Sequence, residues 1–220
     1  MESSSIQTHT MVVETITIPF LLLIISSLIP PILTVDPPLP STDGSDFIRT
    51  ICNTTLYSDL CFSSLSTFAN SIHNDWNRLA RVAIYLTLSN TLHLVSYFQN
   101  AYSNCVDHGC GGGPHNSTTS ALKDCLENLK DAVDDMRGSM KQMKELVSTG
   151  SVQTFKFQMS NVKTWLSAAL TNEYTCTNGF EDFHDDGSIK DDVCTRVEDI
   201  KKLTSNALAL VNRYADKTIP

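Results

Sequence analysis

"TTSALKDCLENLKDAVDDMRGSMKQMKELVS", residues 118–148, places Leu122, Leu126, Leu129, Val133, Met136, Met140, Met143 and Val147 at alternating spacings of four and three. At 3.6 residues per turn, that spacing draws one apolar stripe along a single face of a helix. The helix is far longer than an average globular one, and its seam suits near-antiparallel packing against other long helices. Gly138 is its weak point, expected to cost ~1 kcal/mol relative to Ala.

The same period recurs on both sides. Residues 75–103 open with Asp75 as a cap and align Leu79, Ala83, Leu88, Leu92, Val95, Phe98 and Tyr102. Residues 151–181 carry Phe155, Met159, Val162, Leu166 and Ala169, again at four-three spacing, and residues 191–215 carry Ile200, Leu203, Ala207, Leu210 and Tyr214. The separators are Gly109–Pro114, "STGS" at 148–151 and "HDDGS" at 184–188. Such short connections enforce antiparallel neighbours, and no stretch shows sustained period-two alternation. An all-α, up-down-up-down four-helix bundle is expected. Ahead of it, residues 45–70 hold two pieces too short to stand alone, "DFIRTIC" and "YSDLCFSSLSTFA". A Cys52–Cys61 bridge would close them into an appended helical hairpin.

Residues 16–35, "ITIPFLLLIISSLIPPILTV", form the one long apolar run, followed by "DPPLPSTDG". They read as a secretory leader: residues 1–38 as signal peptide and short linker, with cleavage somewhere in about 27–40, and residues 44–217 as one domain. The n-region contains acids and no Lys or Arg, and no clean A-x-A site follows; an uncleaved anchor is the competing reading, but Pro19, Pro30 and Pro31 break the run below bilayer length. Seven cysteines fit an oxidising compartment, and Asn53 (N-T-T) and Asn116 (N-S-T) satisfy the glycosylation sequon.

The formal net charge is −8. Without a clustered basic surface, nucleic acid is an unsuitable partner, whereas an acidic surface can steer a basic protein. The six histidines, His9, His73, His93, His108, His115 and His184, fall in no nucleophile or metal motif, so neither catalysis nor a cofactor is expected. The spacing Cys105-x2-His108-x-Cys110-x4-His115 superficially resembles a zinc site. An oxidising compartment and the "CGGGP" loop favour a local Cys105–Cys110 disulfide instead, leaving Cys194 free.

Four segments in order, "FIRTICNTTLYSDLCFSSL" (47–65), "ALKDCLENLKDAVDDM" (121–136), "NVKTWLSAALTNEYTCTNGF" (161–180) and "LTSNALALVN" (203–212), resemble the plant invertase and pectin methylesterase inhibitor family. The resemblance implies a secreted four-helix bundle with an N-terminal hairpin. It also implies bridges Cys52–Cys61 and Cys125–Cys176, the latter stapling the second bundle helix to the third. Its members inhibit by binding a cell-wall enzyme stoichiometrically across the substrate cleft, which implies a monomer that acts in the apoplast. Invertase inhibitors of this fold use a Pro-Lys-Phe element before the last helix; "EDFHDDGSIKDD" (181–192) contains none, which favours pectin methylesterase over invertase as the target.

Two polar tracks are candidates for the partner contact: Asp124, Glu127, Asn128, Asp131 and Asp135 on the second bundle helix, and Ser160, Asn161, Thr164 and Thr171 on the third. The second, polar, small and flat, could meet a protein without leaving buried charges unpaired. A different reading, an apolar ligand held among Met136, Met140 and Met143, competes with the readiness of Met to fill irregular cores.

Overall fold

The computed structural model describes residues 42–108, 117–146, 151–181 and 188–218. All of these described residues belong to one compact unit. The leader, its cleavage site, Cys110, His115, Asn116, Val147 and most of the loop before the last helix lie outside the described residues.

Four long helices carry the fold: α4 (Trp76–His108), α5 (Ser117–Glu145), α6 (Val152–Asn178) and α7 (Ser188–Thr218). Each packs on its chain neighbour, and α4 closes the ring against α7, giving the expected antiparallel bundle. Asp75 caps α4 by accepting the Arg78 amide at 2.6 Å, and Ser151 caps α6 by accepting the Thr154 amide at 3.1 Å. Ahead of the bundle come α1 (Thr42–Cys52), α2 (Ser58–Leu65), a 3₁₀ turn over Ser66–Phe68 and the single-turn α3 (Ala69–Ile72). Cys52 and Cys61 are bridged. Buried Asn206 of α7 docks the hairpin turn by pairing both backbone groups of Tyr57: its Oδ1 accepts the amide at 3.3 Å and its Nδ2 donates to the carbonyl at 3.0 Å.

All five residues of the expected α6 stripe are buried, as are Leu122, Leu126, Leu129, Val133, Met136 and Met143 of α5. Met136 and Met143 pack in the core, while Met140 is only partly buried at its edge. On α4 the expected stripe drifts. Leu92 is 37% exposed, and the inward positions are Thr87 and Thr91. Their hydroxyls donate to the carbonyls of Ala83 and Thr87 four residues back, at 3.0 and 2.9 Å, so each buries a methyl without an unmet polar atom. A reading by hydrophobicity alone skips such threonines.

The core falls into two apolar clusters. One lies at the hairpin end, around Ile48, Leu79, Ile84, Met143, Phe155, Met159 and Leu210; the other, at the opposite end, includes Phe98, Leu122, Leu129, Phe180, Val193 and Val197. Between them in sequence on three of the helices sit buried polar residues: Thr87 and Thr91 on α4, Glu173 on α6 and Thr204 on α7.

Candidate partner-binding face

Helices α5 and α6 run antiparallel with a register set by cross-pairs whose numbers rise on one helix as they fall on the other. Gln142 accepts from the Asn161 amide at 3.4 Å, Asp135 accepts from the Asn172 amide at 3.2 Å, and Cys125 is disulfide-bonded to Cys176. Between the first two pairs, Gly138 faces the Trp165 ring: a Cβ added there would lie 3.2 Å from ring carbon Cδ2. The glycine thus makes room for the indole at the seam, and Trp165 is partly buried beside the core rather than within it.

This seam gathers most of the expected contact residues onto one two-helix face. Asp124, Glu127 and Asp131 are exposed on α5, and Thr164 and Thr171 are exposed on α6. Asn128, Asp135 and Asn161 are half-buried at the shoulder between the helices, closer to α6 than a face opposite the core would put them. Asn128 turns back on its own helix, donating to the Asp124 carbonyl at 2.8 Å. Glu127 pairs with Lys130 at 3.3 Å and Asp134 with Arg137 at 2.8 Å, both within α5. Such exposed pairs contribute little to stability, and among the described residues none of the ion pairs takes Asp124, Asp131 or Asp135. Burial, reinforced by neighbouring Asp131 and Asp134, raises the Asp135 carboxyl above its ordinary range, against the opposing pull of the Asn172 hydrogen bond. Asn172 and Gln142, which fix this shoulder, give no periodic or motif signal and were not anticipated.

Glu173 was not anticipated either. It continues the α6 stripe inward and is fully buried. The Thr204 hydroxyl lies 2.7 Å from its Oε1 and 3.1 Å from the Ile200 carbonyl, while Oε2 meets no hydrogen-bond partner. A hydroxyl has one proton to give. Thr204 can give that proton to Oε1 or to the Ile200 carbonyl, and Oε2 receives none, so an ionised Glu173 is under-bonded. Burial accordingly pushes the Glu173 carboxyl up to about 8, opposed by the Thr204 hydrogen bond and by Lys201.

The zinc-like spacing takes a different form. Cys105 is disulfide-bonded and so unavailable as a thiolate ligand, while its expected partner Cys110 is outside the described residues. Cys194 is a free thiol packed against the second cluster, and burial raises its pKa. Asn53 is exposed beside the hairpin bridge. His93 is exposed on α4, away from any metal-ligating cluster among the described residues.

Residues 46–210 match the profile of the plant invertase/pectin methylesterase inhibitor family. The chain belongs to that family. Among its relatives, the 21 kDa protein of Daucus carota is 38% identical over 176 residues, covering 79% of this chain and 86% of the relative. Pectinesterase inhibitor 11 of Arabidopsis thaliana is 36% identical over 179 residues, covering 81% and 85%. Pectinesterase inhibitor 10 of the same plant is 38% identical over 170 residues, 77% of this chain, which spans about half (51%) of that protein's length. A crystal structure of a mutant form of a pectin methylesterase inhibitor from Arabidopsis superposes with a TM-score of 0.58 at 19% identity, covering 75% of this chain and 95% of that one. This family member therefore shares the helical-bundle fold of the solved inhibitor.

Proposed function

We propose that this inhibitor-family chain is exported to the plant cell wall, binds pectin methylesterase as a monomer and blocks access of polymer to its substrate cleft. The α5–α6 face is the contact surface. The observation that carries this reading is the seam itself. A disulfide, two amide cross-pairs and a ring seated on a glycine hold Asp124, Asp131, Asp135, Thr164 and Thr171 in one fixed arrangement. Preorganisation of this kind limits the ordering entropy that association must offset. Family membership and the printed names of the relatives supply the target.

The test is a paired inhibition assay with the purified, oxidised protein. Methyl ester hydrolysis of pectin by a plant pectin methylesterase should fall while sucrose hydrolysis by invertase is unchanged. The reverse pair of results would assign the protein to invertase.

A further inference from the structure

Away from the α5–α6 face, where the hairpin meets α4 and α5, lies an open groove of about 390 Å³ lined by Phe68, Arg78, Arg81, Val82, Tyr85, Met140 and Lys144, with Ser71 at its edge. Its volume is within the roughly 300–1,000 Å³ of small-ligand sites. Arg78, Arg81, Val82 and Tyr85 stand at i, i+3, i+4 and i+7 and so share one face of α4, while Met140 and Lys144, at i and i+4, face them from α5.

Among the described residues, three cations line this groove and no carboxylate does. That is unusual in a chain of net charge −8, and unlike the described ion pairs, in which Lys130, Arg137, Arg196, Lys201 and Lys202 each meet an acid of their own helix. Arg78 takes part in none of the described ion pairs, and its Nη1 lies 3.2 Å from Nδ1 of His73. Tyr85 is 56% exposed, although Arg49, Arg196, Lys201 and Lys217 each sit over another aromatic ring. Positive charges spread over two helices, with an exposed ring and an apolar floor between them, suit a ligand that repeats carboxylates along a flat-faced backbone. A single compact anion would use only part of such a lining.

We infer that the groove between the hairpin, α4 and α5 binds a carboxylated oligosaccharide, a uronate chain, with Arg78, Arg81 and Lys144 on its carboxylates and Tyr85 on a sugar face. Guanidinium–carboxylate contacts are charge-assisted and geometrically specific. The choice of uronate among carboxylated ligands rests on the pectin methylesterase reading. Hydrolysis of a methyl-esterified uronate by water releases methanol and leaves a carboxylate on the polymer, so the ligand is the product of the enzyme being inhibited. Lys144 is nine residues beyond Asp135, about half a turn away around the α5 axis, so the groove and the partner face lie on different flanks.

Calorimetric titration of the full secreted chain with a fully de-esterified galacturonate oligomer, its fully methyl-esterified counterpart and inorganic sulfate tests the inference. The de-esterified oligomer should bind about tenfold more tightly than the ester, and its affinity should fall with added salt. Combining Arg78→Gln, Arg81→Gln and Lys144→Gln should weaken binding about tenfold or more while leaving enzyme inhibition unchanged. Tyr85→Ala should weaken it with no change of charge. Equal affinity for the two oligomers, retention of binding in the triple variant, or displacement by sulfate at equal concentration would each overturn it. Binding without inhibition of pectin methylesterase would refute the functional reading alone; inhibition without binding would refute the groove alone.

Discussion

Glu173 makes the fold sensitive to alkalinity through one atom group. Its carboxyl is raised to about 8 in the folded protein, so between its ordinary range and that value the native state holds a proton that the unfolded chain has released. Stability therefore falls as pH rises through this window and is fully present below it. Urea unfolding at successive pH values from 5 to 8 should show a loss on the order of a few kcal/mol, and Glu173→Gln should flatten that slope. Parallel slopes for the two proteins would remove Glu173 as the cause. Gly138 reverses a rule at the same scale. Helix propensity alone makes Gly138→Ala stabilising by ~1 kcal/mol. A Cβ 3.2 Å from Cδ2 of Trp165 opposes that gain. The single variant should be no more stable than the parent, and the ~1 kcal/mol should reappear when Trp165→Leu is present, as a double-mutant cycle would measure.

At the scale of elements, α5 and α6 act as one unit. Removing the Cys125–Cys176 bridge, which spans 51 residues, should cost ~4 kcal/mol in the chain-entropy view, against ~3 for the nine-residue Cys52–Cys61 closure. Denaturant midpoints of the two double-Ser variants would order them. The polar side of this unit makes a kinetic prediction. Asp131→Asn with Asp135→Asn should slow association with the target enzyme and reduce its salt dependence, with a smaller effect on dissociation. On-rates that do not respond to ionic strength in the parent protein would remove steering from the mechanism. The α6 stripe and the α5 stripe were legible in the sequence because apolar side chains alone mark them. On α4 the pattern failed at Thr87 and Thr91, because a hydroxyl that bonds the carbonyl four residues back is buried as readily as an apolar group, and on α6 it stopped short of Glu173, whose burial depends on a partner on another helix, Thr204. Asp124, Glu127 and Asp131 were legible as surface, whereas their shared shoulder with α6 depends on cross-helix pairs such as Asp135–Asn172 that no spacing within one helix encodes.

For the whole molecule, chain order and connection length were enough to anticipate the bundle, because short separators leave long helices few ways to pack. The cationic groove was invisible on the same grounds. Arg78 and Arg81 are separated from Lys144 by more than sixty residues of sequence and read individually as ordinary solvated charges. Only the packing of α5 on α4 brings them around one opening. The placement of that opening across α5 from the acidic face has a consequence for the proposed inhibition in a cell wall. A rigid rod with a polymer on one flank and an enzyme on the other needs no linker to hold both at once. Effective concentration then replaces free diffusion: inhibitor would accumulate along stretches of chain already de-esterified, where the enzyme has just worked, and its local concentration there would exceed that in the surrounding fluid.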